Sequence, residues 1–192
     1  VTYSGNGATQ SVEGVGFSPD LVWIKDRSTT YAHQLTDSVR GATKTLFSNL
    51  TNAENTDAQK LISFDDDGFT YGTNVGGNTS GNSYVAWCWD AGTGSAASNT
   101  DGSITSSVKA NQDYGFSIAS FTLPSSGSCT IGHGLSQTPD LFIIKRRSNT
   151  SGWGVWHKDL SSTTNGYLIL NGTDAETTSA NIWNATAPTS SV

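Results

Sequence analysis

Short apolar segments separated by long polar stretches are the main pattern along the chain. Residues 21–24 and 141–144 are continuous apolar runs that follow a Pro-Asp pair, as in strands buried on both faces. Residues 84–89 place apolar side chains on both faces of a strand, which predicts a central strand of a sandwich. Asp67-Gly68 between apolar residues predicts a hairpin turn. The pattern therefore predicts an all-β protein.

Two other kinds of segment interrupt this pattern. Residues 91–109 are rich in Gly, Ser, Ala, Asn and Thr, which predicts a linker. Residues 36–45 and 174–183 are candidates for short helical turns.

An internal repeat is the strongest signal in the sequence. Residues 19–28 (PDLVWIKDRS) and 139–148 (PDLFIIKRRS) match at an offset of 120, and residues 49–58 match residues 171–180 at an offset of 122. The change of offset indicates a two-residue insertion in the second copy. The order of the two matches, with the predicted strands, indicates two tandem antiparallel β-sandwich units, over residues 1–112 and 113–192.

The second copy is shorter than the first. The segment that would match residues 64–89 has no counterpart before Val192, so we expect the second unit to be incomplete at its C-terminal side, without its last two strands. A strand from a neighbouring unit or chain would then complete it, because an unpaired sheet edge favours further pairing.

Composition and charge narrow the classes of partner. Ten basic residues stand against 16 acidic ones, for a net charge of −6, so we expect no nucleic-acid partner. No apolar run approaches the ~20 residues of a membrane span, so we expect no membrane insertion. Cys88 and Cys129 are too few for a disulfide framework, and the sequence leaves open two buried thiols or one bridge.

Carbohydrate binding needs exposed aromatic rings with polar groups around them. A Gly-rich stretch in the second copy and the corresponding region of the first copy contain such residues. If the stretch is a strand, its alternation predicts that one of the two tryptophans points outward. The alternative is that both rings are packed in the core or an interface. The candidate glycan contacts are Tyr31, His33, Trp153, Trp156 and His157.

Calcium and catalytic chemistry receive weaker support. Asp65, Asp66 and Asp67 offer carboxylates to Ca²⁺, but their adjacent spacing without a following Glu favours a solvated turn, so no cofactor is expected. Glycoside hydrolysis needs two facing carboxyl groups, and no spacing brings two together. Glu54 and Glu176 are repeat equivalents, which favours a structural role in turns.

The sequence resembles a known family through several segments. It is similar to the tandem repeat of tail-fibre and appendage proteins of marine tailed phages, with matching residues 2–7, 84–87, 139–145, 156–160, 167–171 and 183–192. The resemblance implies that the units are jelly-roll or lectin-like sandwiches of the concanavalin type, in a virion or extracellular location, with other virion subunits as partners in a homo-oligomer. It carries over no catalytic residue.

Three functions follow as hypotheses. The first is a non-catalytic virion appendage or tail-fibre segment that contacts host-surface glycans. The second is a purely structural decoration or filament subunit without a ligand. The third, less favoured, is a glycan depolymerase.

Overall fold

The computed structural model describes residues 1–192 and is almost entirely β. It contains sixteen strands and one four-residue helix, which is too short to cross a membrane. In chain order the elements are β1 (Thr2–Ser4), β2 (Gln10–Glu13), β3 (Leu21–Asp26), β4 (Gln34–Asp37), β5 (Lys44–Thr45), β6 (Asn55–Thr56), β7 (Leu61–Asp65), β8 (Gly68–Tyr71), α1 (Val75–Asn78), β9 (Ser83–Trp89), β10 (Ala97–Asn99), β11 (Ser106–Asn111), β12 (Phe116–Phe121), β13 (Leu141–Lys145), β14 (Trp153–His157), β15 (Gly166–Ile169) and β16 (Thr177–Thr178).

The first copy is a sandwich of two antiparallel sheets. One sheet has the order β1-β9-β3-β4 and the other β2-β8-β7. Alternate side chains of β3 and β9 point inward, so Val22, Ile24, Tyr84 and Ala86 meet residues of the facing sheet. The result is a single apolar cluster, completed by Val12, Leu61, Phe69 and Tyr71. An all-β, sandwich-type fold is thus confirmed.

The first copy also contains the two-stranded sheet β5-β6, and the rest of the chain forms two further sheets. One is the meander β10-β11-β12, and the other has the order β13-β14-β15-β16. Fewer apolar residues are buried here than in the first copy, namely Val108, Trp153, Val155 and Trp156. The second copy therefore has a thin core, part of which packs against the first copy.

Strand register shows that the equivalent strand pairs of the two copies fold alike. Leu21 pairs with Asp37 in β3–β4, and Leu141 pairs with His157 in β13–β14, both at the offset of 120. Lys44 pairs with Thr56 and Gly166 with Thr178, both at the offset of 122. The two-residue insertion therefore lies in the loop between β14 and β15.

Three expectations about local structure are corrected and one is confirmed. Residues 36–45 and 174–183 contain short strands and isolated turns instead of helical turns, because Lys44, Thr45, Thr177 and Thr178 pair with neighbouring strands. The expected linker 91–109 contains β10 and most of β11, which the salt bridge from Lys109 to buried Asp20 (2.6 Å) holds against the first copy. The predicted hairpin is present, with Asp65 paired to Gly68 across the turn. Cys88 and Cys129 are separate, half-buried thiols.

The two copies contact each other directly. Trp153 packs with Leu35 and Leu46 of the first copy, and its indole N–H donates to the carbonyls of Phe47 (2.9 Å) and Leu50 (3.1 Å). Glu54 accepts hydrogen bonds from Arg147 through both carboxylate oxygens, each at 2.9 Å. An apolar cluster and an ion pair therefore join the copies.

Candidate carbohydrate-binding face

The outer side of the first sheet carries a group of aromatic rings. Trp23 and Trp87 are directly paired in the β3–β9 register, and Trp89 follows two residues along on the same side. The Trp23 ring lies 5.9 Å from the Trp87 ring and 6.4 Å from the Trp89 ring, measured between centroids. We call this group, with its neighbours His33 and Phe116, the aromatic face.

Two further contacts hold the rings in place. Phe116 of β12 stacks on Trp89 with a centroid distance of 6.2 Å and an interplanar angle of 22°. The indole N–H of Trp23 donates to Nδ1 of His33 at 2.9 Å, and the His33 main-chain N–H donates to the Asn49 side chain. Neighbours on both sides therefore fix the orientation of Trp23 and Trp89.

Trp87 is the ring of this face that solvent reaches most. It is 45% exposed, although it lies on a central strand. Trp23 and Trp89 are half-buried and therefore less exposed than Trp87. A rigid, exposed indole beside polar groups is the surface that the apolar side of a sugar ring covers. The sequence of β9 predicts apolar side chains on both faces of the strand. It does not show that the face carrying Trp87 is exposed to solvent.

The sequence-predicted contacts are divided between this face and the core. Tyr31 is 43% exposed and lies two residues before His33, in the loop between β3 and β4. His157 is partly exposed, and its Nδ1 accepts from the Asp159 main-chain N–H. The structure does not bring His157 together with Tyr31 and His33 through any contact.

Trp153 and Trp156 lie elsewhere than expected. Their exposed fractions are 5% and 2%, and Trp156 stacks on Phe142 at 5.3 Å with its indole N–H donating to the Thr163 carbonyl. The expectation that one of the two points outward is wrong, because both sides of β14 are covered, by the first copy and by Phe142. Neither ring is open to a sugar.

The electrostatics of His33 suit hydrogen bonding to hydroxyl groups. Burial, with a smaller contribution from the positive charge of Lys25, lowers the pKa of His33 below its ordinary value. The imidazole is therefore neutral at pH 7, and because Nδ1 accepts from Trp23, the proton lies on Nε2. Nε2–H is then a donor for a sugar hydroxyl.

The acidic residues named from the sequence are engaged in turns. Asp65 accepts from the hydroxyls of Ser63 and Thr70, whereas Asp67 accepts from the main-chain N–H groups of Gly14 and Gly16. No group of three potential metal ligands is found, so the three aspartates do not converge on one point.

Glu54 and Glu176 hold equivalent loops in the two copies. Glu54 accepts from Arg40 in the β4–β5 loop, and Glu176 accepts from the Ser161 main chain and hydroxyl in the β14–β15 loop. Burial alone would raise the pKa of Glu54, but hydrogen bonds from Arg147 and Arg40 keep it below the ordinary value. The Ser161 hydrogen bonds likewise lower the pKa of Glu176. The structural role predicted for both is confirmed.

The fold and this face define the class: an all-β sandwich protein built of two repeats, with an exposed aromatic surface on the first. The chain matches DUF7483, a domain of unknown function, over residues 1–192, and it belongs to this family. No curated protein and no solved structure matches it.

Proposed function

We propose that the protein is a non-catalytic β-sandwich segment of a virion appendage or tail fibre, and that it contacts host-surface glycans through the aromatic face. Exposed Trp87 on a rigid central strand is the observation that carries the proposal. The phage-appendage context rests on the sequence resemblance, with other virion subunits as partners in a homo-oligomer.

The contacts divide into a stacking surface and polar groups around it. The indole of Trp87 covers the apolar side of a sugar ring, with Tyr31 as a second exposed ring. His33 and Lys25 donate to hydroxyl groups at the border of the ring. Binding is shallow and needs no cofactor or metal.

Three carboxyl groups have a shifted pKa, and none of them is shifted as the general acid of a glycosidase would be. A glycosidase needs a carboxylic acid with a raised pKa. Hydrogen bonds acting against burial lower the pKa of Asp26 and Glu54, and the pKa of Glu176 is also lowered. All three shifts are opposite to that of a general acid.

Glycan binding is tested by screening the whole chain on a glycan array and measuring the affinity of the best glycan by calorimetry. Removing the stacking ring in Trp87→Ala is expected to weaken binding about tenfold or more, since such a contact contributes about 1.4 kcal/mol. Tyr114→Ala, which removes a ring 75% exposed in the β11–β12 turn, is the matched control and should leave affinity unchanged.

Two results would contradict the proposal. Absence of binding to every glycan at millimolar concentration would favour the purely structural subunit. Equal loss of binding in Trp87→Ala and Tyr114→Ala would show that the aromatic face is not the site.

A further inference from the structure

Lys60, in the turn before β7, is a buried charge without an ion-pair partner. The buried charged residues of the chain are Asp20, Asp26, Asp37, Arg40 and Lys60. The first four are each held by a salt bridge or by several hydrogen bonds. Lys60 is 6% exposed and forms no salt bridge, and its Nζ donates one hydrogen bond, to Oδ1 of Asn55 at 2.6 Å. Burying an unpaired charge is costly, so Lys60 differs from the other buried charges.

The surroundings compensate this charge only in part. Nζ of Lys60 lies 4.6 Å from the centroid of the Phe47 ring, as in a cation–π contact. The carboxylate of Asp57 attracts the ammonium group from farther away, and its oxygens accept from the Gln59 main-chain N–H and the Asn74 side chain. Burial lowers the pKa of Lys60, although the charge of Asp57 opposes this shift.

Lys60 lines a cleft to which both copies contribute. The cleft has a volume of about 580 Å³, within the range of about 300–1,000 Å³ that is typical of small-molecule sites. Ser151 N–H donates to the Thr51 carbonyl at 2.9 Å, and this bond joins the loops of the two copies. The polar side chains that line the cleft are Asn52, Glu54, Asn55, Lys60 and Thr150. We call it the Lys60 cleft.

Hydrogen-bond donors lie side by side in this cleft. An ammonium group has three N–H donors, of which Lys60 uses one for Asn55. Because Oδ1 of Asn55 accepts from Lys60, the same amide retains its NH2 group as a donor for other partners. A carboxylate would accept from both donors and would supply the opposite charge.

Glu54 lines the same cleft, but arginines offset its charge. Its Oε2 accepts from Arg40 at 3.1 Å and from Arg147 at 2.9 Å, and its Oε1 accepts from Arg147 at 2.9 Å. Arg40 also pairs with Asp37, so the four groups form a closed network of two cations and two anions. Lys60 remains as a single positive charge outside this network.

We propose that the Lys60 cleft binds a small organic carboxylate of the size of a sugar acid. Its carboxylate pairs with the Lys60 ammonium group and accepts from the Asn55 amide, while its hydroxyl groups meet Asn52 and Thr150. One ammonium group matches a carboxylate better than a phosphate, which would bring a further negative charge beside Glu54. This site is separate from the aromatic face and does not depend on the glycan binding proposed there.

The test is an NMR titration of the whole 15N-labelled chain with sodium D-glucuronate, with the ionic strength held constant by sodium chloride. Glucuronate is expected to bind with a millimolar Kd and to shift the amides of residues 52–60, Thr150 and Ser151. Methyl β-D-glucoside carries a hydroxymethyl group in place of the carboxylate. It should bind about tenfold more weakly or less, because it has no charge to pair with Lys60.

Two variants remove the unpaired charge in different ways. Lys60→Met keeps the length of the side chain without its charge, whereas Asn55→Asp places a carboxylate of the chain itself beside the ammonium group. Both should abolish the preference for glucuronate over the glucoside. Asn55→Asp keeps the buried lysine, so the test does not rest on the folding of Lys60→Met. Lys158→Met removes an exposed lysine and is the matched control that should keep the preference.

Trp87→Ala separates this cleft from the aromatic face. The variant should bind glucuronate with the affinity of the wild type, even if it no longer binds a glycan through the aromatic face. Four results would each overturn the proposal: no shift of the named amides at about 100 mM glucuronate, equal affinity for the glucoside, unchanged affinity in Asn55→Asp, or loss of glucuronate binding in Trp87→Ala.

Discussion

His33 is the titratable residue of the aromatic face, and one hydrogen bond connects it to Trp23. The Trp23 indole donates to Nδ1, so protonation of that nitrogen removes the acceptor. Burial is the main reason that the pKa of His33 lies below its ordinary value in the folded protein. The ring of Trp23, which packs against Trp87, is thus held by an imidazole that must stay neutral.

The low pKa of His33 predicts an acid-sensitive stability. The unfolded chain takes up a proton on this imidazole near pH 6.5, whereas the folded protein takes it up only at lower pH. The contribution of His33 to the free energy of unfolding should therefore have its full value above pH 6.5. It should decrease as the pH falls from there towards the pKa of His33 in the folded protein.

NMR titration of the imidazoles and denaturant unfolding at several pH values measure this effect. His33→Gln, which cannot titrate, should remove this component of the pH dependence, and His133→Gln is the matched control that should keep it. A pKa of His33 at or above 6.5 in the folded protein would contradict the prediction.

At the scale of elements, the hairpin of β7 and β8 depends on the absence of a side chain at Gly68. A Cβ atom placed there would lie 1.9 Å from the Val12 carbonyl oxygen, on the strand that pairs with β8. Gly68→Ala should therefore push β2 away from β8 and lower the free energy of unfolding by about 1–3 kcal/mol.

Urea unfolding measures the cost of this substitution. Gly152→Ala is the matched control, because a Cβ there meets its nearest atoms at 3.5 Å, an ordinary contact distance. Equal stability of the two variants would show that β2 adjusts without loss of pairing.

The repeat and the strands were predictable to different degrees. Identical residues in collinear blocks predict that equivalent strands recur at the same offsets, as β3 and β13 do, but they do not identify the partner strands β4, β5 and β16, whose segments suggested helical turns. β10 and β11 do not follow from the sequence either, because their Ser- and Asn-rich segments carry no apolar alternation and are held by pairing with β12 and by Lys109. Period-two alternation assigns a side chain to a face but not the neighbour that covers it. For this reason the exposure of Trp87 was not foreseen, and the sequence left open whether Trp153 and Trp156 are both buried, as they are.

At the scale of the whole molecule, Trp153 connects the two copies. Its ring occupies the position that corresponds to His33 in the first copy, where the imidazole instead contacts Trp23. In the second copy the Trp153 indole contacts the first copy. It packs on Leu35 and Leu46 and donates to the main-chain carbonyls of Phe47 and Leu50. The thin second core therefore depends on the first for part of its burial.

This dependence predicts how the protein unfolds. Wild-type protein should give a single calorimetric transition, because the shared cluster couples the copies. Trp153→Ala is expected to cost about 3–5 kcal/mol and to separate a lower transition, which belongs to the second copy, from that of the first. Trp153→Phe keeps most of the packing but loses both hydrogen bonds. The second copy of this variant should therefore unfold at a temperature between that of the wild-type transition and that of the lower transition of Trp153→Ala. If Trp153→Ala unfolds in one transition at the wild-type temperature, the copies are held together by the Glu54–Arg147 pair and the β11 contacts rather than by this ring.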